Sequence, residues 1–533
     1  MTQLILTRFF ERAEAYFPDN QIVSRKADGE LFKYTYRDYC RRVRRLASSL
    51  AGLGINSGDK VGTLAWNSYR HFELYFAVPC YGAVLHTINI RLTDEHIAYI
   101  INHAGDKVLF VDPDMLALVQ RIAQQLTTVK HVIVMDDQVP EGDMTGAWAY
   151  EVLIKNGRDD FVFPELEETA PCGMCYTSAT TGNPKGVVYS HRGQYLHALG
   201  VCSADGPAVS EYDTLLPLVP MFHVNSWGLP FAAVCTGAKM VFPGPSPSAA
   251  DILDLIESEQ VTFAAAAVTV GVQMLDALQL KRRDLSSLRR LMLGGQATPR
   301  VLMRRFWDDY GVPIYTAWGA TETSPLATTA HVKRRLRDAG IEARLDVVSR
   351  QGIPLPGIEL KVLDSDGKQV TWDDREVGEV YVRGPWVAES YYRDERSQDA
   401  FVDGWWKSGD LAAVDSDGVI RLVDRAKDLI KSGGEWISSV DLENHLMACP
   451  GIAEAAVVGA PHRRWQERPV AYVVLAAGAA VDEDALRRWL AERFAKWWLP
   501  DHYVFVAEIP KTGVGKFNKR ALRERAASEF ADD

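Results

Sequence analysis

The sequence has no surplus of positive charge, no apolar run long enough to span a bilayer, and too few cysteines for a disulfide framework. Fifty-nine basic residues stand against seventy acidic ones, a net charge of −11, which argues against general binding to nucleic acid or anionic membrane. The longest apolar stretches, such as FAAAAVTVGV from Phe263, are too short and too rich in alanine to cross a bilayer. Seven cysteines in 533 residues suit a reducing compartment. Cys172 and Cys175 form a C-x-x-C, but no second pair completes a zinc site, and core packing is the expected role. The opening MTQLILTRFFERAEAYFP lacks a basic start followed by an apolar core and a cleavage site; it reads as an amphipathic helix ended by Pro18. These absences predict a cytoplasmic protein.

What is present is an ordinary globular composition, 47% hydrophobic and 24% charged, in a chain longer than one hydrophobic core sustains. At least two domains are expected. From about residue 35 to 270, runs such as DKVGTLAWN, GAVLHTINI and KVLFVD alternate with helix-length amphipathic segments, the pattern of an α/β domain. Between roughly 350 and 425 the pattern changes to short strands and turns, and after Arg425 it returns to mixed α/β. EAAVVGAP and VAYVVLAA are expected strands there, and EDALRRWLAERFA an expected helix. The fold expected is therefore α/β: a large N-terminal domain of α/β layers with a β-rich subdomain, followed by a small α/β C-terminal domain. The boundaries expected are 1–424, a junction at 425–427, and 428–533.

One stretch concentrates small hydroxyls beside a cation: YTSATTGNPKG, from Tyr176 to Gly186. Short polar side chains and open backbone N–H groups can wrap an anion while a lysine neutralises it, so phosphate is the natural ligand. A surface turn of the same composition is the bland alternative. The stretch is not the P-loop G-x-x-x-x-G-K-[ST]. Six further motifs follow in order: MFHVNSWG, LMLGGQATP, YTAWGATETSP, WWKSGD, VDRAKDLIKSGGEWIS and PKTGVGKFNKR. Together they resemble, in order and spacing, the signatures of adenylate-forming enzymes, the superfamily of acyl-CoA synthetases, peptide-synthetase adenylation domains and beetle luciferases. MFHVNSWG brings the resemblance closest to fatty acyl-CoA ligases of short- to medium-chain type.

The resemblance implies ATP, Mg²⁺ and coenzyme A as cofactors and a carboxylic acid as substrate. The acid would displace pyrophosphate from ATP to give an acyl-adenylate, and a thiol would then displace AMP. Thr177, Ser178, Thr180, Thr181, Gly182 and Lys185 would hold the β- and γ-phosphates; the family usually has glycine where this chain has Ala179. Glu322 would bind Mg²⁺ and Thr321 the α-phosphate. Gly295, Gln296, Trp318 and Gly319 would surround adenine, with Asp410 at the ribose and Arg425 at the ribose or a phosphate. Lys516 would bridge carboxylate and nucleotide during adenylation. His223, Val224, Asn225, Trp227, Gly228 and Gly294 would line the acyl pocket, with Ala264 to Ala267 as a further wall. Lys431, Gly433, Gly434 and Trp436 would meet coenzyme A after the C-terminal domain swings about a hinge at Lys427. A homodimer is an assembly the resemblance allows.

Other readings remain at this point: a ligase for methylthiopropionate or an aryl acid, an acyl-adenylate donor to a carrier protein, a luciferase-like oxygenase, and a nucleotide-binding regulator without catalysis. The joint presence of Lys185, Glu322 and Lys516 argues against the last. No carrier domain with its own phosphopantetheine serine is evident, and the ending FADD is not a peroxisomal tripeptide.

Overall fold

The computed structural model describes residues 2–139, 146–177, 182–336, 338–433, 435–476, 478–512 and 516–530. It is mixed α/β throughout, with a large N-terminal part and a small C-terminal one. Two large sheets build the former. One has seven strands, in the order Trp148–Ala149, His131–Val134, Asp106–Val111, Lys60–Leu64, Val84–Thr87, Pro171–Tyr176 and Gly186–Ser190. Its pairings are parallel until the last strand, which runs antiparallel to Pro171–Tyr176. Val108–Val111 and Val84–Leu85 are buried, as expected of strands covered on both faces.

The second sheet has nine strands, with Arg290–Gly294 between Phe263–Ala267 and Ile314–Gly319 near one end. These three are parallel, so their carboxyl ends lie side by side. That edge is where open α/β sheets bind ligands. The alternation of strand side chains corrects one expectation. Ala264 and Ala266 do not wall a pocket; they pack with Ile252, Met274 and Leu302 in the core under the helices Ala249–Glu259, Val268–Leu280 and Arg300–Tyr310.

The β-rich region is a five-stranded antiparallel sheet whose last strand, Ile420–Arg425, pairs with Trp405–Val414. Asp424 and Arg425 are therefore strand residues, and the connection proper is Ala426 to Leu429. Beyond it, Ile430–Ser432 opens the C-terminal sheet, which carries its own core of Ile430, Leu442, Val457, Ala471 and Leu486. The first helix, Leu6–Tyr16, buries Leu6, Phe9, Phe10 and Ala13 on one face, at the helical spacing its sequence carries. Cys172 and Cys175 lie buried in strand Pro171–Tyr176, and burial raises both thiol pKa values. No helix among the described residues is long and apolar enough to cross a membrane.

Candidate active site

The antiparallel strands Pro171–Tyr176 and Gly186–Ser190 close the hydroxyl-rich loop at its base. Thr177 N donates to Lys185 O at 2.9 Å, and Lys185 N returns a bond to Thr177 Oγ1 at 3.2 Å. Ser178, Thr180, Thr181 and the departure at Ala179 lie outside the described residues. Gly182 has φ +67°, a conformation that favours glycine. From this base Lys185 reaches inward: its Nζ donates to the Tyr391 hydroxyl at 2.8 Å and sits 4.0 Å from the centre of that ring. Tyr391 in turn donates to Glu322 Oε1 at 2.6 Å. Burial lowers the Lys185 pKa, while Glu322 opposes that shift. One phenol thus joins the expected phosphate lysine to the expected metal carboxylate.

Thr321 and Glu322 are both buried, on the short 3₁₀ turn Thr321–Thr323 that follows strand Ile314–Gly319. Tyr189 OH donates to Thr321 O at 2.9 Å and pins that turn to the loop's second strand. Glu322 has one carboxylate oxygen engaged by Tyr391, and no group of three or more His, Cys, Asp or Glu side chains able to hold a metal occurs among the described residues. That donor set fits an ion held by one carboxylate together with substrate phosphates, the usual habit of Mg²⁺.

A cavity of about 260 Å³ lies alongside. Gly295, Gln296, Trp318, Gly319, Asp410 and Arg425 line it, together with Lys427 and Lys516. Asp410 accepts from Trp318 Nε1 at 2.8 Å and pairs with Arg425 Nε at 3.1 Å. The Trp318 ring stacks toward Trp406, at 6.4 Å between centroids. The Asp410 carboxylate raises the Arg425 pKa. Lys516 enters from nearly 100 residues further along the chain, anchored by Thr512 N donating to its carbonyl at 2.7 Å. Its Cε would lie 3.4 Å from a Cβ placed on Gly295, whose φ is +91°. Burial, reinforced by Arg425 and opposed by Asp410 and Glu322, brings the Lys516 pKa down from 10.5 to about 8.

Next to Lys516 stands the segment MFHVNSWG, and its backbone was not legible in the sequence. Val224, Asn225, Ser226 and Trp227 all have positive φ, between 45° and 56°, one turn of left-handed helix built from L residues. Such residues cost roughly 1–2 kcal/mol each, and clustered strain of this kind marks functional sites. Ser226 Oγ donating to Val219 O at 2.7 Å and Tyr75 OH donating to Met221 O at 2.5 Å hold the segment. Asn225 and Val224 are buried, and Gly228 caps the turn at φ +76°. Trp227 lies against Gly294, where an added Cβ would come 2.7 Å from Trp227 Cη2. Burial, aided by Lys516 and Arg91, pushes the His223 pKa down to about 3; its imidazole is neutral at physiological pH and lines the site without acting as a charged group.

The residues expected to meet coenzyme A are not gathered at this cavity. Lys431 and Trp436 are exposed and sit on the paired strands Ile430–Ser432 and Glu435–Ile437, with Lys431 Nζ 4.8 Å from the Trp436 ring centre. Gly433 has φ +63°, and a Cβ placed on it would come 2.7 Å from Trp465 Cε3; Gly434 lies outside the described residues. Tyr391 escaped the sequence reading altogether. It is a tyrosine in YYRDE, 69 residues from Glu322, and no local spacing links the two. Arg396 escaped too: its Nη2 donates to Asn183 O, at the loop, at 3.1 Å.

Comparison with known proteins gives the geometry a context. Residues 10–392 match the family model described as AMP-binding enzyme, and residues 441–516 match the AMP-binding enzyme C-terminal domain. The chain is 48% identical over 525 residues to a long-chain-fatty-acid–CoA ligase of Thermus thermophilus, covering 98% of this chain and 96% of that one. It is 40% identical, with the same coverage, to a medium-chain-fatty-acid–CoA ligase of Ectopseudomonas oleovorans. A crystal structure of an anthranilate CoA ligase in complex with anthranoyl-AMP superposes with a TM-score of 0.88 at 27% identity, covering 99% of this chain and 98% of that one.

Proposed function

This chain belongs to the AMP-binding enzyme family and is an AMP-forming acyl-CoA ligase using ATP and coenzyme A, and we propose that its acid is a linear aliphatic carboxylate of short to medium chain. Trp227 supports that range: its ring lies beside Gly294, where it would bound the room left for an acyl chain. Activity across unbranched acids of increasing length, read as coenzyme-A-dependent AMP release, tests it. An optimum at methylthiopropionate, at an aryl acid or at long chains would replace it.

The observation that carries the mechanism is Lys516, half-buried in one cavity with Asp410, Arg425 and Gln296. In adenylation a carboxylate approaches a phosphorus already surrounded by negative oxygen. A preorganised ammonium lowers that barrier without having to reorient, and holding both reactants near attack distance removes much of the entropic cost. Lys185 would neutralise the departing pyrophosphate, aided by the loop residues Thr177, Ser178, Thr180, Thr181 and Gly182. Asp410 would accept from the ribose hydroxyls, and Trp318 with Gly295, Gln296 and Gly319 would surround the base. Glu322 would hold Mg²⁺, which when bound offsets charge on the phosphates. Thr321 would contact the α-phosphate. His223, Val224, Asn225, Gly228 and Gly294 would line the acyl side with Trp227.

The thiol step makes different demands. AMP leaves readily, and the protein has to admit pantetheine while excluding water. We assign residues 1–424 to the nucleotide- and acyl-binding domain and 428–533 to a domain that turns about Lys427. Turning would withdraw Lys516 and bring Lys431, Gly433, Gly434 and Trp436 toward the site. The exposed side chains of Lys431 and Trp436, off the cavity that holds Lys516, support this reading. Lys516→Ala is expected to abolish acid-dependent pyrophosphate–ATP exchange while thioester formation from supplied acyl-adenylate persists; equal loss of both would refute the division of labour. The proposal also places the enzyme in the cytoplasm as a homodimer, which cell fractionation and light scattering check.

A further inference from the structure

A polar chain crosses the connection between the two parts of the molecule, at the wall of the same cavity: Asp424, Glu443 and Lys519 line it beside Arg425 and Lys516, and Asp424 Oδ1 accepts from Arg425 N at 2.8 Å. The polar chain begins at Asp424, 6% exposed, on strand Ile420–Arg425 of the β-rich sheet. Asp424 Oδ2 accepts from Ser439 N at 2.8 Å and from Ser439 Oγ. Ser439 is fully buried and is the first residue of helix Ser439–Met447, which packs on strand Ile452–His462 of the C-terminal sheet. Its hydroxyl also accepts from Lys519 Nζ at 2.5 Å. Lys519 pairs with Glu443 at 2.8 Å, and Glu443 Oε1 accepts from Val457 N at 2.8 Å. Lys519 opens helix Lys519–Glu529, three residues after Lys516. A neighbouring bond, Ser438 Oγ to Val423 O at 2.7 Å, spans the same boundary.

We propose that Asp424 is a positioning residue for adenylation, its carboxylate fixing, through Ser439 and Lys519, the orientation in which the C-terminal part inserts Lys516 into the nucleotide cavity. The inference rests on the turning-domain reading above. Its physical basis is the way the charges divide. Lys519 and Glu443 both lie beyond the connection Ala426 to Leu429 and stay paired wherever that part turns. Asp424 lies before it, and a rotation would strip its Oδ2 of both Ser439 donors while Oδ1 keeps the bond from Arg425 N. Its carboxylate also faces the N-terminus of a helix, where negative charge is favoured. Bonds to a buried carboxylate that exist in one orientation alone bias the equilibrium toward that orientation by their full strength.

The test measures two half-reactions of the full-length enzyme: acid-dependent pyrophosphate–ATP exchange, and thioester formation from synthetic acyl-adenylate and coenzyme A. Asp424→Ala is expected to lower exchange by about ten- to a hundredfold, the factor expected for losing a charge-assisted hydrogen bond, with thioester formation at or above the parental rate. Asp424→Asn, which keeps an acceptor for Ser439, should restore part of the loss. Ser439→Ala, which keeps the backbone bond, should act in the same direction but less, and serves if Asp424→Ala melts below the parent. Parental exchange in Asp424→Ala, or parallel loss of both half-reactions at a parental melting temperature, would overturn the proposal. Lys516→Ala is the control arm: if that variant retains exchange, the adenylation reading itself fails, whatever Asp424 does.

Discussion

Replacing Tyr391 by phenylalanine removes one oxygen atom and tests how the triphosphate end of the site is built. In the structure that oxygen accepts from Lys185 at 2.8 Å and donates to Glu322 at 2.6 Å, and both partners have charged side chains. Hydrogen bonds to charged groups contribute about 1.5–3 kcal/mol each. The ring would remain under the Lys185 ammonium, now 4.0 Å from its centre, so the cation–π contact survives. When ATP binds, phosphate oxygens can take over the bond that Lys185 loses, whereas no such substitute orients Glu322. One bond's worth of loss is therefore expected, a fall of about ten- to a hundredfold in kcat/KM for ATP. Pyrophosphate–ATP exchange measured across ATP and Mg²⁺ concentrations reads it, with calorimetric titration of ATP as an independent check on binding. Parental exchange and parental ATP affinity in Tyr391→Phe would refute the claim that this phenol organises the site.

Gly294→Ala places a methyl 2.7 Å from Trp227 Cη2, so the indole must move; KM for the acid and the preferred chain length are expected to change while KM for ATP does not, which a series of unbranched acids checks. Because Lys516 has a pKa of about 8 in the free protein, its ammonium is lost as pH rises through 8, and kcat/KM for the adenylation step should fall on that alkaline side. Lys516→Arg retains charge at every accessible pH and should carry that limb to higher pH, whatever its absolute rate; an unchanged limb would assign it to another group. His223, neutral with a pKa of about 3, should contribute no limb between pH 5 and 8, so His223→Asn is expected to leave the shape of the acid side unaltered.

Residues that announce themselves locally were readable before the fold was known. The strands and helices of the C-terminal part follow from their apolar spacing; the antiparallel partner Gly186–Ser190 that closes the loop at Thr177 and Lys185 emerged with the structure. Gly295 and Gly182 signal positive φ by being glycine. The left-handed turn at Val224–Trp227 gave no such signal, since nothing in the intrinsic preferences of valine or tryptophan allows it; tertiary bonds from Ser226 and Tyr75 impose it. The run Ala264 to Ala267 looked like room for a ligand because its residues are small, yet the strand's alternation turns Ala264 and Ala266 into a core. Tyr391 and Asp424 act through partners 69 and 15 residues away, pairings that exist only once sheets and helices have met. Contacts of that kind are not periodic, so a sequence pattern cannot carry them.

The central claim is that the acid's carboxylate oxygen attacks the α-phosphorus of ATP to form an acyl-adenylate, and oxygen labelling tests it most directly. The purified enzyme would be given ATP, coenzyme A and an aliphatic acid whose carboxylate carries ¹⁸O, and the products analysed by mass spectrometry. When the thiol displaces AMP from an acyl-adenylate, the bridging oxygen leaves with the nucleotide, so the account predicts one labelled oxygen in AMP for each thioester formed and none in pyrophosphate. Label in inorganic phosphate, or unlabelled AMP accompanying thioester, would contradict it.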